Sequence, residues 1–442
     1  MQYSFLFINV GGVFLSIAMR VKAEGYPIYY YKQKGMTKGR EDTGVGILTK
    51  SEMTDDYFEI LNKVPKEELI ILIDDNGFGD MADFLRKQGY MVIGGGAFAD
   101  KIEYERGLGM KIMKGIGLSM PEEHVFNSIE EALSFMESEP EDARYVFKPE
   151  GEEFAGSSKT YTGKNKADLI GYMKWIKNDC VEKHYSVEKF ILQSFIDGEE
   201  ADFAGYFNGE KFMKGICLMD IEEKKSGDGN KGEATGCMGN IILNVPGSPY
   251  MQYLEKLTPL FKKVGYVGEV SINNIFSYTD GKPYGLEFTP RFGWDSHLTE
   301  LAILHASGIK IADFYIALVT KKEFPFPSDS IGCGVRVYTG SISLEKADVS
   351  GRYFSFSKGL MKYLWFYSCS YKSGSFCIED NPVLLAQFVT KKLPQAIQGV
   401  YKSILKRLNV PDVYYRMEIG ERADRVLKFL RKNDWISKST SS

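Results

Sequence analysis

Gly285-Leu286-Glu287-Phe288-Thr289-Pro290-Arg291-Phe292-Gly293-Trp294-Asp295-Ser296 reads as a short apolar strand that ends in a carboxylate, a bend and an arginine. Side chains alternate across a strand, so Leu286 and Phe288 are expected to enter a core while Glu287 faces the opposite side. Pro290 has no amide hydrogen for a central ladder and is expected to end the strand. Glu287 and Arg291 are then expected to meet at its exit. A carboxylate beside an arginine can hold Mg²⁺ and an anionic group together. The plain alternative is a structural ion pair, and this stretch alone does not separate the two.

Upstream, the first hundred residues alternate strand and helix. Tyr3–Asn9 is a predicted strand, Gly11-Gly12 a turn and Val13–Ala23 a helix. Strands are expected at Pro27–Tyr31, Glu68–Asp75 (ELIILIDD) and Tyr90–Ile93, and helices at Asp55–Val64 and Met81–Gln88. Such alternation predicts a parallel sheet covered on both faces. Ligands of these sheets bind beyond the carboxyl ends of the strands, where Gly11-Gly12 and Asp74-Asp75-Asn76-Gly77 fall. Tyr104–Lys114 is predicted helical, and the capping box Ser128-Ile129-Glu130-Glu131 opens a helix to Met136. The pattern then turns α+β: strand Arg144–Lys148, helix Ala167–Lys177, strand Phe190–Ile196. Asn208-Gly209, between Asp202–Phe207 and Lys211–Leu218, signals a hairpin. A helix at Leu254–Val264 and a strand at Gly268–Phe276 lead to the opening motif. Lys321–Ser330 reads as a linker, followed by several strands and two late helices, Pro382–Leu408 and Glu418–Lys432.

Composition narrows the function classes. The 442 residues carry a net charge of −4, which gives no footprint for nucleic acid or an anionic membrane. Six cysteines without a CxxC read as free thiols, and four histidines show no metal-ligand spacing. Tyr3–Met19 is apolar, but no positive charge precedes it and Asn9-Val10-Gly11-Gly12 interrupts it, so it is not read as a signal peptide. Nothing else reaches a transmembrane length without charges. The expectation is a cytoplasmic protein, monomeric or homodimeric.

Three further blocks carry potential chemistry. Lys148 ends a strand and is followed by the small-residue loop Gly151–Lys159 (GEEFAGSSK), whose amides can meet phosphates, although it does not match GxxxxGK[ST]. Ile191–Asp202 (ILQSFIDGEEAD) places a carboxylate after a strand, where a ribose diol can be bound. Glu222–Gly239 (EEKKSGDGNKGEATGCMG) has four charges and then glycines, as a mobile lid over a charged substrate would. Taken singly, each is as well explained by a solvated turn or charge run.

Their order and spacing together resemble the ATP-grasp superfamily, and within it the phosphoribosylamine–glycine ligases of purine biosynthesis. Glu222–Gly239 matches their DHKR…GD…TGGMG loop without a gap. Gln193–Asp202 is similar to E-E-F-L-D-G-E-E, Lys148 falls at their ATP-phosphate lysine, and Leu286–Gly293 is similar to E-F-N-x-R-F-G-D. Pro411–Ala423 (PDVYYRMEIGERA) resembles their C-terminal D-x-x-x-R-x-D-I-G-x-R-A. The resemblance spans nearly the whole chain. It implies an α/β and α+β architecture: an N-terminal Rossmann-like parallel-sheet domain (1–100), an ATP-grasp domain pair (101–325, its small subdomain at about 118–200) and a small β-rich C-terminal domain with two helices (330–442).

The resemblance also implies an ATP-dependent carboxylate–amine ligase acting through an acyl phosphate. ATP and Mg²⁺ (or Mn²⁺) are the implied cofactors. A glycine-like carboxylate and a phosphoribosylamine-like amine are the implied partners. By the same comparison Arg106, Lys148, Ser157, Ser158, Gln193 and Glu200 would hold ATP, and Glu287, Thr289 and Asn273 the metal. Arg291 would neutralise the acyl phosphate. Gly11, Gly12, Lys224, Lys225, Gly236, Met238, Gly239 and Asp295 would meet substrate.

The departures cluster. Ile8–Ser16 (INVGGVFLS) replaces GNGGREHA, and Glu103-Tyr104-Glu105-Arg106 replaces E-G-S-K. Gln193 and Ser194 replace two glutamates near the adenine. Thr289 replaces a metal-ligand asparagine, for which Asn273 or Glu269 is expected to compensate. Trp294-Asp295-Ser296 replaces Asp-Pro-Glu beside the glycine site. Three readings therefore stay open: the family's own reaction, a ligase for another carboxylate and amine, and a nucleotide-binding protein without turnover. A dinucleotide-dependent oxidoreductase is set aside for want of GxGxxG.

Overall fold

The computed structural model describes residues 2–9, 12–32, 41–149, 160–183, 187, 189–340 and 349–438. Gly11 and the Gly151–Lys159 loop, with Ser157 and Ser158, lie outside them.

Strands β1 (Ser4–Asn9), β2 (Ile28–Lys32), β3 (Met53–Thr54), β4 (Leu69–Ile73) and β5 (Met91–Ile93) form a parallel sheet in the order β3-β2-β1-β4-β5. Helices α1 (Phe14–Ala23), α2 (Tyr57–Lys63) and α3 (Gly79–Lys87) alternate with them. Every residue of β1 and β4 is buried, which is why β4 is apolar throughout and β1 is apolar from Phe5 to Ile8 rather than alternating. Sheet order reverses between β1 and β4, so their carboxyl ends open side by side. There Asn9 Oδ1 accepts the Phe14 N–H (3.2 Å) and fixes the start of α1, while Asp75 and Asn76 border a cleft.

The helix predicted over Tyr104–Lys114 is α5 (Arg106–Gly115). A further helix that the sequence reading missed, α4 (Ala97–Tyr104), precedes it, with Glu105 (φ −87°, ψ 80°) between the two. The corner presents both Glu103 and Arg106 to the cleft.

A small antiparallel sheet follows, built from β6 (Glu123–Phe126), β7 (Tyr145–Pro149), β8 (Tyr161–Thr162) and β9 (Phe190–Ser194) in the order β6-β9-β7-β8. Tyr145, Phe147, Phe190 and Leu192 pack with residues of α6 (Ile129–Ser138) and α7 (Lys166–Lys183). The alternate positions Val146, Lys148 and Gln193 face the cleft. Ser128 caps α6 as its sequence predicts, accepting the Glu131 N–H (3.2 Å), although the returning Glu131 carboxylate takes the N–H of Asn127 (3.3 Å).

The large antiparallel sheet contains β10 (Gly198–Glu200), β11 (Asp202–Phe207), β12 (Leu218–Gly227), β13 (Lys231–Asn244), β14 (Gly268–Ser277), β15 (Pro283–Thr289) and β16 (Ile331–Thr339). Helices α8 (Met251–Glu255), α9 (Thr258–Lys263), α10 (Trp294–Ala306) and α11 (Ile311–Val319) accompany it. β16 pairs with β13, so the chain beyond the Lys321–Ser330 connection extends this sheet. Among the described residues, no single helix is long and apolar enough to cross a membrane.

Four sequence expectations change here. Asn208-Gly209 does turn the chain, with Asn208 Oδ1 accepting the N–H groups of Glu210 and Lys211 (3.0 and 2.9 Å). The return arm, however, ends after a single Phe207–Phe212 bridge, because the chain turns again at Lys214-Gly215, where Gly215 has φ +81° and the Ile216 N–H reaches the Met213 carbonyl (3.4 Å). Instead of a mobile lid, Glu222–Gly239 forms part of the long β12–β13 hairpin. Its tip is tied by Asp228 Oδ1, which accepts the Met417 N–H (2.8 Å). The late helix predicted from Pro382 begins as a strand, Leu384–Thr390, and turns helical only at α12 (Leu393–Gln398). Lastly, Leu286 does not enter the core. Pairing jumps from Asn273–Glu287 to Asn274–Gly285, and this bulge leaves Leu286 half-buried on the cleft while Phe288 is buried as expected.

Candidate active site

A cleft of about 1260 Å³ separates the small sheet from the large one. Its floor is a grid fixed by strand register. Leu218, Ala204, Ser271 and Thr289 stand side by side across β12, β11, β14 and β15. The next row is Asp220, Asp202, Asn273 and Glu287, because Phe203 pairs with Ile272 and so sets Asp202 beside Asn273. Positions two apart share a strand face, so both rows look into the cleft.

At one end of the second row, Glu287 Oε2 receives Arg106 Nη1 at 3.0 Å and its Oε1 receives Asn273 Nδ2 at 3.4 Å. Thr289 Oγ1 donates to Asn273 Oδ1 at 3.3 Å. Burial pushes the Glu287 carboxyl up, but Arg106, Lys224 and Lys148 outweigh it and hold the group at about 2. A permanent anion flanked by an amide and a hydroxyl oxygen is a hard-donor set of the kind Mg²⁺ takes.

Facing this end from the small sheet, Lys148 donates to Gln193 Oε1 (2.7 Å), and Gln193 Nε2 donates to Glu123 (2.8 Å). Burial, reinforced by Arg106, lowers the Lys148 amine to about 8. Glu200 pairs with Lys224 at 2.6 Å, and Glu222 lies 3.6 Å from the same ammonium.

The expected Glu287–Arg291 pair does not form. The bend at Pro290 sends Arg291 towards the N-terminal sheet, where it meets Glu103 (3.2 Å) and Asp75 (4.0 Å), and Arg106 takes its place on Glu287. Burial and the nearby Asp75 and Glu287 raise the Glu103 carboxyl to about 7 despite Arg291.

No family model matches the chain. It is 22% identical over 398 residues to the phosphoribosylamine–glycine ligase of Leptospira interrogans serogroup Icterohaemorrhagiae serovar Lai, covering 83% of this chain and 88% of that protein. The crystal structure of phosphoribosylamine–glycine ligase from Thermotoga maritima aligns with a TM-score of 0.68 at 17% identity, over 94% of this chain and 100% of that one. The biotin carboxylase domain of Hydrogenobacter thermophilus 2-oxoglutarate carboxylase, a complex with MgADP and bicarbonate, aligns with a TM-score of 0.60 at 13% identity, over 99% and 97%. The chain has the ATP-grasp fold.

Within the ATP-grasp cleft the structure gathers Arg106, Lys148, Gln193, Glu200, Lys224, Lys225, Gly236, Asn273, Glu287, Thr289, Arg291 and Asp295. It does not bring Gly12, Met238 or Gly239 there. Gly12 (φ +85°) packs against Tyr367 and Ser368 so closely that a Cβ would lie 2.6 Å from Ser368 Oγ. Met238 is fully buried in the core, and Gly239 is paired on both sides, to Glu223 and to Val335.

Asp295 borders the cleft, but its carboxylate is already engaged. It accepts from Arg336 Nε (2.9 and 3.0 Å) and from the Tyr367 hydroxyl, and Arg336 Nη2 lies 2.8 Å away. Both partners are buried, so removing one strands the other. Asp295→Ala and Arg336→Ala are each expected to lose about 3–5 kcal/mol of stability in denaturant titrations, and Asp295→Ala combined with Arg336→Met less than the sum.

Sequence reasoning gave no role to Arg336, Arg416 or Arg422. Arg422 donates to the carbonyls of Glu200 (2.8 Å) and Glu222 (2.6 Å), and Arg416 to that of Lys225 (3.0 Å). Both also pair with Glu223, at 3.1 and 3.2 Å. The tail thus clamps the hairpin that carries Lys224. The resemblance at Pro411–Ala423 was the available signal.

His297 does sit in a group with two carboxylates. Its Nδ1 comes within 3.9 Å of Glu269 and 3.4 Å of Glu300, a group whose ligand atoms all lie within 4.8 Å of one another. Tyr206 and Tyr315 hydrogen-bond both ring nitrogens (2.8 and 2.7 Å), which gives this cluster a structural role.

Proposed function

We propose that this chain is an ATP-dependent carboxylate–amine ligase that works through an acyl phosphate. The observation that carries the reading is the anionic Glu287, with Asn273 and Thr289 beside it and Arg106, Lys148 and Lys224 around it, in the cleft of an ATP-grasp fold. Lys148 and Arg106 hold the phosphates as fixed charges. Glu200 takes the ribose hydroxyls once Lys224 turns to the anion. A divalent ion on Glu287, Asn273 and Thr289 would supply charge neutralisation at the phosphate oxygens.

In the first step a substrate carboxylate oxygen attacks the γ-phosphorus and ADP leaves. In the second, an amine nitrogen attacks the acyl carbon, phosphate leaves, the nitrogen sheds a proton and an amide remains. Neither step needs a protein nucleophile, so positioning and electrostatics carry the rate. Arg291, anchored by Glu103 and Asp75, neutralises the carboxylate and then the acyl phosphate.

Phosphoribosylamine and glycine are the first pair to test, because they are the substrates named in the relatives. Incubation with ATP and Mg²⁺ is expected to release ADP and yield the amide, identified by mass. A second reading, another carboxylate–amine pair, is favoured by Asp295, which is locked to Arg336 beside the expected glycine site. ADP release with other pairs but not with this one selects it. A folded protein that neither binds nor hydrolyses ATP overturns both.

A further inference from the structure

The end of the cleft floor remote from Glu287 holds more carboxylates than cations. Asp220 and Asp202 face each other across β12 and β11, Glu222 stands one row along β12, and Glu300 reaches the same arm from α10. Two of these have donors and a third has an ammonium nearby. Asp202 Oδ1 accepts the Asn274 N–H (3.1 Å), Glu300 the Tyr206 hydroxyl, and Glu222 lies near Lys224. Asp220 differs. The residue lines the cleft and is 8% exposed, and its buried Oδ1 has no hydrogen-bond partner. The cations nearby are engaged elsewhere: Lys224 with Glu200 or, under the ligase reading, with the bound anion, Arg336 with Asp295, and Arg291 with Glu103.

A buried acceptor without a donor is costly, and the cost disappears when a ligand supplies the donor. Burial and the surrounding carboxylates push Asp220 and Asp202 well above the usual range, as expected where positive charge is missing. The small side chains of Ala204 and Ser271 leave room in front of the pair. A primary ammonium, with three rotatable donors, suits acceptors on two strands and a helix.

Position limits the ligand further. Asp220 and Glu287 end one row on the first and fourth of four adjacent strands, roughly 14 Å apart at the backbone. An ammonium at Asp220 therefore lies several bonds from any carboxylate reacting beside Glu287.

We propose that this acidic arm binds the distal primary ammonium of an extended substrate, of the ω-amino-acid or diamine class, through Asp220 with Asp202 and Glu300. The substrate's place in a reaction rests on the ligase reading, but its binding is measured separately. The probes are 6-aminohexanoate and hexanoate, which have the same chain and differ in the ammonium. Each is titrated calorimetrically into the protein, with and without Mg²⁺ and a non-hydrolysable ATP analogue.

The expected result is that 6-aminohexanoate binds about tenfold to a hundredfold more tightly than hexanoate. Asp220→Asn is expected to erase that advantage while leaving hexanoate and analogue affinities within about twofold. It removes a carboxylate oxygen that has no partner, so the fold is retained, and thermal unfolding checks this. Equal affinities, absence of binding by both probes, or an advantage that survives Asp220→Asn would overturn the proposal. Analogue binding without ammonium preference rejects this site alone. Ammonium preference without analogue binding supports the site and counts against the ligase.

Discussion

Glu287→Gln is expected to cut ATP-dependent ADP release by about a thousandfold or more while changing ATP affinity by less than about tenfold. The two readouts separate because of what surrounds the carboxylate. Arg106 donates to it at 3.0 Å, and Lys224 and Lys148 add to the field that holds its pKa at about 2. Glutamine keeps the shape and an acceptor for Arg106 but removes the negative charge. Three cations then face the phosphates with less competition, so nucleotide still binds. The reaction, however, loses the one charged ligand for the ion that neutralises the transferring phosphoryl group. A purely structural Glu287–Arg106 pair predicts the opposite pattern: near-normal turnover in whatever fraction folds. Wild-type ADP release in Glu287→Gln would remove the site assignment. The pH dependence of stability has a defined sign. This depressed carboxyl contributes stability that is complete above its ordinary value of 4.5 and lost as pH falls towards 2. Acid unfolding of Glu287→Gln should lack that component.

How far this site was legible in the sequence depends on the distance over which each contact acts. Local pattern carried the parallel sheet, because β4 is apolar at every position, and it carried Lys148, because alternation on one strand sets it opposite Phe147. It carried the carboxylate Glu287 but assigned the wrong arginine. Arg291 is four positions away and Arg106 is 181, and no local signal shows that the corner at Glu105 delivers the distant one. Leu286 was misread for a related reason: strict alternation assumes an unbroken ladder, and the bulge opposite Asn273 and Asn274 is a property of two strands together. Leu384–Thr390 shows the limit of periodicity, since a short apolar run suits a buried strand or a helix equally until the neighbouring β16 claims it. The row Asp220–Asp202–Asn273–Glu287 comes from four strands, and only register assembles it.

Lys148→Met is expected to move stability and function in opposite directions. Lys148 is 8% exposed, and burial with Arg106 lowers its pKa from 10.5 to about 8. Keeping it charged at pH 7 therefore costs folding free energy. Methionine has nearly the same length and no charge, so the nucleotide-free variant should be more stable by about 1–2 kcal/mol, after allowance for the lost bond to Gln193. The sign with pH follows from proton counting. Between pH 8 and 10.5 the unfolded chain holds a proton on this lysine that the folded chain has released, so wild-type stability rises with pH there. The gap to the methionine variant should close over that window. ATP affinity behaves in reverse. The phosphates lose a buried cation worth about 3 kcal/mol, a loss of roughly a hundredfold in affinity, and ATP-dependent turnover should vanish. Wild-type affinity should itself weaken as pH rises past about 8, and the variant's should not. A lysine kept only for packing would give no such pH dependence, and its removal would leave ATP binding intact. Calorimetric ATP titrations at pH 7 and 9, beside thermal unfolding of the same samples, distinguish a phosphate-binding lysine from a packing one. A destabilised variant with unchanged ATP affinity would reject the assignment.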